Sequence, residues 1–510
     1  MSRKILSGDR EIAVDQTLIN AARAASGFEA LGLQPGDAVA TYLRNDFANF
    51  EVNIAAGLLG VYAVPINWHL SAEETGYILE DCGARALVVH ADLLKNIAAG
   101  IPEGIEVFVV ETPPEIAAAY GLTASQTEPS PGAVLWSEWT HQFDIFEPRD
   151  IASPGAMIYT SGTTGRPKGV RRKPQSPDEM DELFRVINTA FGLRPGARTI
   201  IPAPMYHSAP NSYSSLSIRQ ELDEIVLMPR FDPEDLLRLI EKHEITHLQT
   251  VPTMFVRLLK LDPEIRSRYD VSSLEHVVHA AAPISPEVKE AMIEWWGPII
   301  NEYYGSTETG SVVFCTAEDW LGHRGTVGRP MPGVELRILD DDGNDQPVGV
   351  PGDVYVRITR GPDFTYNNDD AKRKKAERHG LIAPGDIGYV DKDGFLYLCD
   401  RRNDMVISGG VNIYPAEIEG CLINHPEIAD CAVFGIPDEE FGESLAAYIQ
   451  PRPGAGIGED EVRAHVREHL AAYKVPRVVE LVDDLPREDS GKIFKRKLRA
   501  PYWEGRERQI

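Results

Sequence analysis

Tyr159-Thr160-Ser161-Gly162-Thr163-Thr164-Gly165-Arg166-Pro167-Lys168-Gly169 is the stretch that decides how this chain is read. The apolar run Ala156-Met157-Ile158 leads into it and predicts the end of a β-strand. Its glycines let the backbone approach a polyanion closely and turn its N–H groups inward. The hydroxyls of Thr160, Ser161, Thr163 and Thr164 add donors, and Lys168 adds a mobile positive charge. The order is not that of a Walker A loop, because the lysine follows Arg-Pro and precedes Gly169. A short Gly/Ser/Thr cluster is most often an ordinary polar loop. A cluster this long, behind a strand, predicts a phosphate cradle.

On either side of the loop, helical and strand patterns alternate. Helical spacing runs over 21–31 and stops at Gly32, and 37–42 reads as a short buried strand. Residues 50–59 predict a helix, 61–66 a strand, 233–242 a helix and 245–251 a strand. This alternation predicts an α/β fold with largely buried sheets. After the polar run Asp400-Arg401-Arg402-Asn403-Asp404 the remainder fits a small α+β domain ending in a basic tail. We therefore expect a large domain over 1–402 and a small domain over 403–510.

Composition narrows the function. At 510 residues, 43% of them hydrophobic, the chain is globular and long enough for more than one domain. A formal charge of −27 disfavours nucleic acid and anionic membrane as partners. It leaves room for an anionic cofactor, which needs only local cations and N–H groups. No apolar run reaches the roughly 18 residues of a membrane span, and the N-terminus lacks the apolar stretch of a signal peptide. Five scattered cysteines without a CxxC predict reduced thiols and a cytoplasmic protein.

Further motifs follow in sequence: Tyr303-Tyr304-Gly305-Ser306-Thr307-Glu308, Gly385-Asp386, Asp400-Arg401, Ser408-Gly409-Gly410-Val411-Asn412-Ile413-Tyr414-Pro415-Ala416-Glu417, and Ser490-Gly491-Lys492. Together with the loop they resemble, over about 30–500, the adenylate-forming superfamily of acyl-CoA synthetases, peptide-synthetase adenylation domains and beetle luciferases. That resemblance implies an ATP-dependent acid–CoA ligase. A carboxylic acid and ATP would give acyl-AMP and pyrophosphate, and coenzyme A would then take the acyl group. It implies that the loop from Thr160 to Lys168 (with Ser161, Gly162, Thr163, Thr164 and Gly165) holds the β- and γ-phosphates. Thr307 would bond the α-phosphate, Glu308 would hold Mg²⁺, and Tyr304, beside Gly305, would stack on adenine near Ala281, Ala282 and Pro283. Asp386 would accept the ribose hydroxyls, with Arg401 near them. Lys492 would bind carboxylate and α-phosphate oxygens during adenylation, where a flexible point cation suits spread charge. Gly409 and Gly410 would line the pantetheine path, with Phe441 and Tyr473 as small-domain contacts. His207 would stand where the acid pocket meets that path, and Asn211, Ala280, Thr309 and Val313 would contribute to the pocket. A homodimer is compatible with the resemblance.

Several positions depart from the family pattern. The hinge residue is usually Asp or Lys and here is Asn403; Asn tolerates unusual φ/ψ but lacks the charge. The adenine-side loop is usually Gly-Gly-Ala-Pro and here is Ala280-Ala281-Ala282-Pro283, where added methyls would tighten the acid pocket or shift the backbone. The segment before Asp386 usually carries Gly-Trp and a Thr, where this chain has Gly380-Leu381 and Ala383-Pro384.

His243-Glu244-Ile245-Thr246-His247 matches the HExxH zinc pattern. The amphipathic run ends near His243 and the next residues alternate like a strand. On a strand, positions four apart are separated by about 13 Å, too far for one zinc.

The acceptor and the acid define the alternatives. A stand-alone ligase that loads a carrier protein is the main rival, since Gly409 and Gly410 would serve either thiol. A non-catalytic nucleotide-binding protein would be expected to lack Lys492 or Glu308. Residues 207–213 and 309–313 offer small and apolar side chains and no cation beyond histidine, which disfavours a dicarboxylate. Pro204-Met205-Tyr206-His207-Ser208-Ala209-Pro210 and the 400–404 run resemble most closely ligases for bulky apolar acids of the bile-acid type. The expected substrate is a fatty, aryl or bulky alicyclic monocarboxylic acid.

Overall fold

The computed structural model describes residues 3–160, 166–359, 361–487 and 493–504. Expectations for Ser161, Gly162, Thr163, Thr164, Gly165, Ser490, Gly491 and Lys492 lie outside the described residues. The chain is mixed α/β, with a large N-terminal part and a smaller C-terminal domain.

A nine-stranded sheet forms the centre, in the order Arg329–Pro330, Gly310–Cys315, Ile300–Ser306, His276–His279, His247–Thr250, Arg198–Ile201, Glu224–Leu227, Lys4–Ser7 and Arg10–Ala13. Its six middle strands, from Ile300–Ser306 to Lys4–Ser7, run parallel, and antiparallel strands close both edges. Parallel strands need crossovers, and helices such as Pro233–His243 supply them. That helix starts because Asp232 accepts the N–H of Asp235 and proline occupies its first turn. It buries Leu236, Leu237, Leu239 and Ile240. A second, parallel sheet orders Tyr62–Pro65, Ala38–Tyr42, Ala84–His90, Glu106–Val110 and Val134–Leu135. A third, antiparallel sheet is built from 334–401. The small domain has its own five-stranded sheet within 406–481, flanked by Pro415–Ile423 and Glu459–His469.

The expected elements are present, with shifted ends. The first helix is Val14–Ala30, longer than the apolar spacing indicates, because its first turns carry Asp15, Gln16 and Asn20. Lys4–Ser7 joins the central sheet beside Glu224–Leu227, a pairing with no local signal. The HExxH segment breaks as expected: the helix ends at His243, Glu244 takes φ 46°, and His247 opens a strand. His243 Nδ1 lies 2.6 Å from Glu224 Oε1 and His247 Nε2 lies 3.0 Å from the Gly192 carbonyl. Each ring is thus engaged with its own partner.

Candidate active site

The carboxyl ends of parallel strands are where ligands bind in open α/β sheets. Here the strand Ile300–Ser306 leaves the central sheet, passes through a bulge at Tyr304/Gly305 and returns as Gly310–Cys315. The hairpin tip holds Thr307 and Glu308. Ser306 and Thr309 fasten it: Ser306 N–H donates to Thr309 Oγ1 and Thr309 N–H donates to Ser306 Oγ, both at 3.2 Å. Gly305 is obligatory, since a Cβ there would stand 1.9 Å from the Gly310 carbonyl oxygen.

A short antiparallel ladder that carries both ends of the 160–168 loop reaches this tip through Arg172 and Tyr366. Thr160 ends one strand and Lys168 starts the next, and they pair directly across the antiparallel ladder. Phe364–Tyr366 adds a third strand to Lys168–Arg172. Lys168 Nζ is ion-paired with Asp369. Arg172 donates a hydrogen bond to the Thr307 carbonyl, and the Tyr366 hydroxyl donates to Glu308 Oε1 at 3.0 Å. Burial lowers the Arg172 guanidinium from its ordinary range and the Glu308 carboxylate opposes that shift. Lys372 lies 4.7 Å over the Tyr366 ring and is also lowered, first by burial and then by Lys168. Lys168, Arg172 and Lys372, with the carboxylates of Glu308 and Asp369, thus gather around the tip, a composition that fits polyphosphate with a divalent ion. Arg172, Tyr366, Asp369 and Lys372 were not singled out by sequence. Only the Arg171-Arg172 pair, directly behind the loop, offered a signal.

A second cluster lies beside the first. The Tyr304 hydroxyl donates to Asp386 Oδ2 at 2.6 Å, and Arg401 Nε lies 3.0 Å from Asp386 Oδ1. Asp386 and Arg401 are register partners on adjacent strands. Burial, and then Asp386, push the Tyr304 phenol well above its ordinary value, so it stays protonated and donates. The structure thus brings Tyr304, Asp386 and Arg401 together.

Ala281 sits at φ 75°, the left-handed conformation usual for glycine. The methyl did not shift this backbone out of the glycine-like region. The loop follows His279, which is fully buried, with Nε2 3.6 Å from Glu302 Oε2. Glu302 accepts from Lys289 Nζ at 2.6 Å, and Lys289 is itself fully buried. Burial and then Lys289 push His279 well below its ordinary value, which keeps the ring neutral. A buried ion pair therefore underlies both turns, since His279 precedes Ala280 and Glu302 precedes Tyr304.

The expected acid-pocket residues divide. His207 is half-buried at the start of the helix Ser208–Arg219, its ring 4.3 Å from that of Tyr206. Asn211 is buried and its amide donates to the Met205 carbonyl at 3.2 Å. Ala280 is buried in the cluster holding Tyr213 and Tyr303, whereas Val313 is fully buried in a different one with Tyr304 and Val327. The Thr309 hydroxyl donates within its own turn, to the Gly310 carbonyl at 3.1 Å.

In the small domain Gly409 and Gly410 form the turn between Val406–Ser408 and Val411–Ile413, at φ 58° and 80°. Gly409 N–H donates to the Phe441 carbonyl at 2.8 Å, and a Cβ on Gly409 would stand 3.1 Å from the Phe441 ring. Phe441 is thus beside the glycines, with Arg477 4.9 Å over its ring. Tyr473 is exposed next to Lys474. At the expected hinge, Arg499 donates to the Asn403 carbonyl at 3.2 Å, and Asp400 accepts the Ala416 N–H at 2.9 Å.

Comparison with known proteins agrees with this geometry. Residues 3–362 match the AMP-binding enzyme family and 417–492 match the AMP-binding enzyme C-terminal domain. The chain belongs to the AMP-binding enzyme family. Similar proteins include a fatty acid–[acyl-carrier-protein] ligase of Streptomyces coeruleorubidus, 30% identical over 99% of this chain and 94% of the relative. Feruloyl-CoA synthase of Amycolatopsis is 31% identical over 94% and 92%. Among solved structures, ATP-bound MatB of Rhodopseudomonas palustris superposes with a TM-score of 0.84 at 27% identity, covering 98% of this chain and 96% of that one. As a member of this family the chain is an ATP-dependent, AMP-forming acid–thiol ligase. No helix among the described residues is long and apolar enough to cross a membrane.

Proposed function

We propose that this enzyme activates an apolar monocarboxylic acid and transfers the acyl group to coenzyme A in the cytoplasm. In the first step a carboxylate oxygen attacks the α-phosphorus of ATP, the bond to the β-phosphate breaks, and pyrophosphate leaves. In the second, the thiol sulfur attacks the acyl carbon, AMP leaves, and the thiol proton passes to solvent. Two anions meet in the first step, so the protein's contribution is chiefly charge neutralisation and positioning. The observation that carries this reading is the meeting of Lys168, Arg172, Tyr366, Thr307 and Glu308 at one hairpin tip, with Tyr304, Asp386 and Arg401 beside it.

In this assignment Thr160 and Lys168, with the loop between them, bind the β- and γ-phosphates. Arg172 holds the Thr307 backbone so that its side chain faces the α-phosphate. Glu308, oriented by Tyr366, would hold Mg²⁺, which supplies charge neutralisation when bound. Tyr304 presents its ring to adenine, while Asp386 and Arg401 receive the ribose. Ala281, Ala282 and Pro283 border the adenine, and Ala280 and Thr309 the acid. His207 stands at the junction with the thiol path. Lys492 bridges carboxylate and α-phosphate during adenylation. Rotation about Asn403 then brings Gly409, Gly410 and Phe441 to the acyl-adenylate.

The acid is open among fatty, aryl and alicyclic classes. Screening such acids for pyrophosphate release, with and without coenzyme A, tests the reading directly. The expected products are pyrophosphate, AMP and the acyl-CoA thioester by mass spectrometry. Release of ADP and phosphate would overturn the chemistry. Acyl-AMP that persists with coenzyme A yet loads a carrier protein would overturn the acceptor.

A further inference from the structure

Away from the nucleotide turns, the helices Pro415–Ile423 and Glu459–His469 pack together in the small domain. Where they meet, Cys421, His465 and His469 each offer one ligand atom, and these atoms lie within 4.8 Å of one another. His465 and His469 are four apart on one helix, so they share a face. Cys421 approaches from the other helix as a free thiol.

Each imidazole has one nitrogen held by a backbone carbonyl, which leaves the other free to bind. His465 Nε2 lies 3.1 Å from the Cys421 carbonyl oxygen, so Nε2–H donates and Nδ1 keeps its lone pair. His469 Nδ1 lies 2.8 Å from the His465 carbonyl oxygen, so Nδ1–H donates and Nε2 keeps its lone pair. A backbone carbonyl holding the second ring nitrogen fixes tautomer and orientation, as is usual around bound metals. Cys421 and His465 are half-buried and His469 is exposed, which leaves an entry path. His425 stacks edge-on against His465, centroids 4.9 Å apart, while its Nδ1 accepts the Glu427 N–H at 3.2 Å. It is a wall of the site, not a ligand.

We propose that Cys421, His465 and His469 bind one zinc-class divalent ion and so clamp the two helices. One thiolate and two imidazoles are a borderline-soft set, suited to Zn²⁺ and poorly suited to Mg²⁺, which prefers oxygen. Bond lengths of about 2.0–2.3 Å would draw the donor atoms slightly closer than they now stand. The Cys421 proton passes to solvent on binding, and water takes the fourth position.

The test uses the full chain without a polyhistidine tag, stripped with a chelator and titrated with Zn²⁺ or Co²⁺. The expected result is one equivalent bound, undisturbed by excess Mg²⁺, with a thiolate-to-cobalt charge-transfer band in the near ultraviolet. Cys421→Ser should abolish the band, and His465→Ala should weaken binding by about tenfold or more. His469→Ala, at an exposed position, should weaken it while leaving the circular dichroism unchanged, and Cys82→Ser should change nothing. Zn²⁺ should raise the melting temperature of the parent and not of Cys421→Ser. Absence of binding at micromolar metal, or a cobalt spectrum unaltered in folded Cys421→Ser, would overturn the proposal.

Discussion

The two ends of the central sheet carry polar residues of similar type, and they are built differently. At the amino end, His247 and His276 open adjacent strands and stack with centroids 5.9 Å apart. Each ring meets a backbone carbonyl, Gly192 for His247 and Ala190 for His276, and Asn301 joins His276 at 3.1 Å. At the carboxyl end, His279, Glu302 and Lys289 form a charged group without comparable backbone ties, under the turns that lead to Ala281 and Tyr304. A neutral, fully bonded cluster suits a region that has only to hold together. A buried ion pair costs desolvation, and removal of either partner strands the other charge. Its place beneath the turns assigned to the nucleotide matches a need for fixed geometry.

The largest expected effect breaks the carboxyl end. Lys289→Met leaves the Glu302 carboxylate buried without its cation and should cost about 3–5 kcal/mol. The double variant Lys289→Met/Glu302→Leu should be less destabilised than Lys289→Met alone. Urea unfolding of the three proteins checks this, and a single-variant loss below about 1 kcal/mol would deny the pair its buried character.

The amino end should reveal itself through pH. Burial, and then the neighbouring His276, lower His247 to about 4, against about 6.5 for a free histidine. The folded protein therefore binds fewer protons than the unfolded chain between these values. Stability from this group is complete above pH 6.5 and is lost as pH falls toward 4, about 3 kcal/mol in all. His247→Gln should flatten that part of the pH–stability curve and leave activity at pH 7.5 nearly intact in protein that remains folded. An unchanged slope would show that His247 is not the titrating group.

A smaller effect is expected where structure meets ligand. Tyr304→Phe keeps the ring and removes its hydrogen bond to Asp386. A bond to a charged acceptor is worth about 1.5–3 kcal/mol. The melting temperature should fall, since the bond exists before ATP binds, and the KM for ATP should rise while kcat changes little. A fall in kcat with KM unchanged would mean that Tyr304 acts in the chemical step.

Much of this was legible in the chain itself. Alternating patterns set the α/β class, and the motifs that carry the family resemblance pointed to Tyr304, Glu308 and Asp386 as candidates, of which the structure brings Tyr304 and Asp386 into contact. The partners that hold them were not legible. Tyr366 reaches Glu308 and Arg172 reaches Thr307 across long stretches of chain, on strands whose pairing no periodicity announces. Lys289 lies on an amphipathic helix, where lysine ordinarily signals the solvated face, and only the packing shows that it is buried against Glu302. Ala281 illustrates the same limit: an alanine in place of the usual glycine gave no sign that the left-handed backbone would be kept.

The central claim is that fixed turns on the large domain and a mobile small domain divide the two half-reactions. Lys492→Ala tests it most directly, with acyl-AMP formation and conversion of supplied acyl-AMP to thioester measured separately. Adenylation should fall by about a hundredfold or more, since one charge-assisted contact there is worth about 3 kcal/mol. Thioester formation from supplied acyl-AMP should continue near the parent rate. Equal loss of both half-reactions in folded protein would contradict the division of labour between the domains.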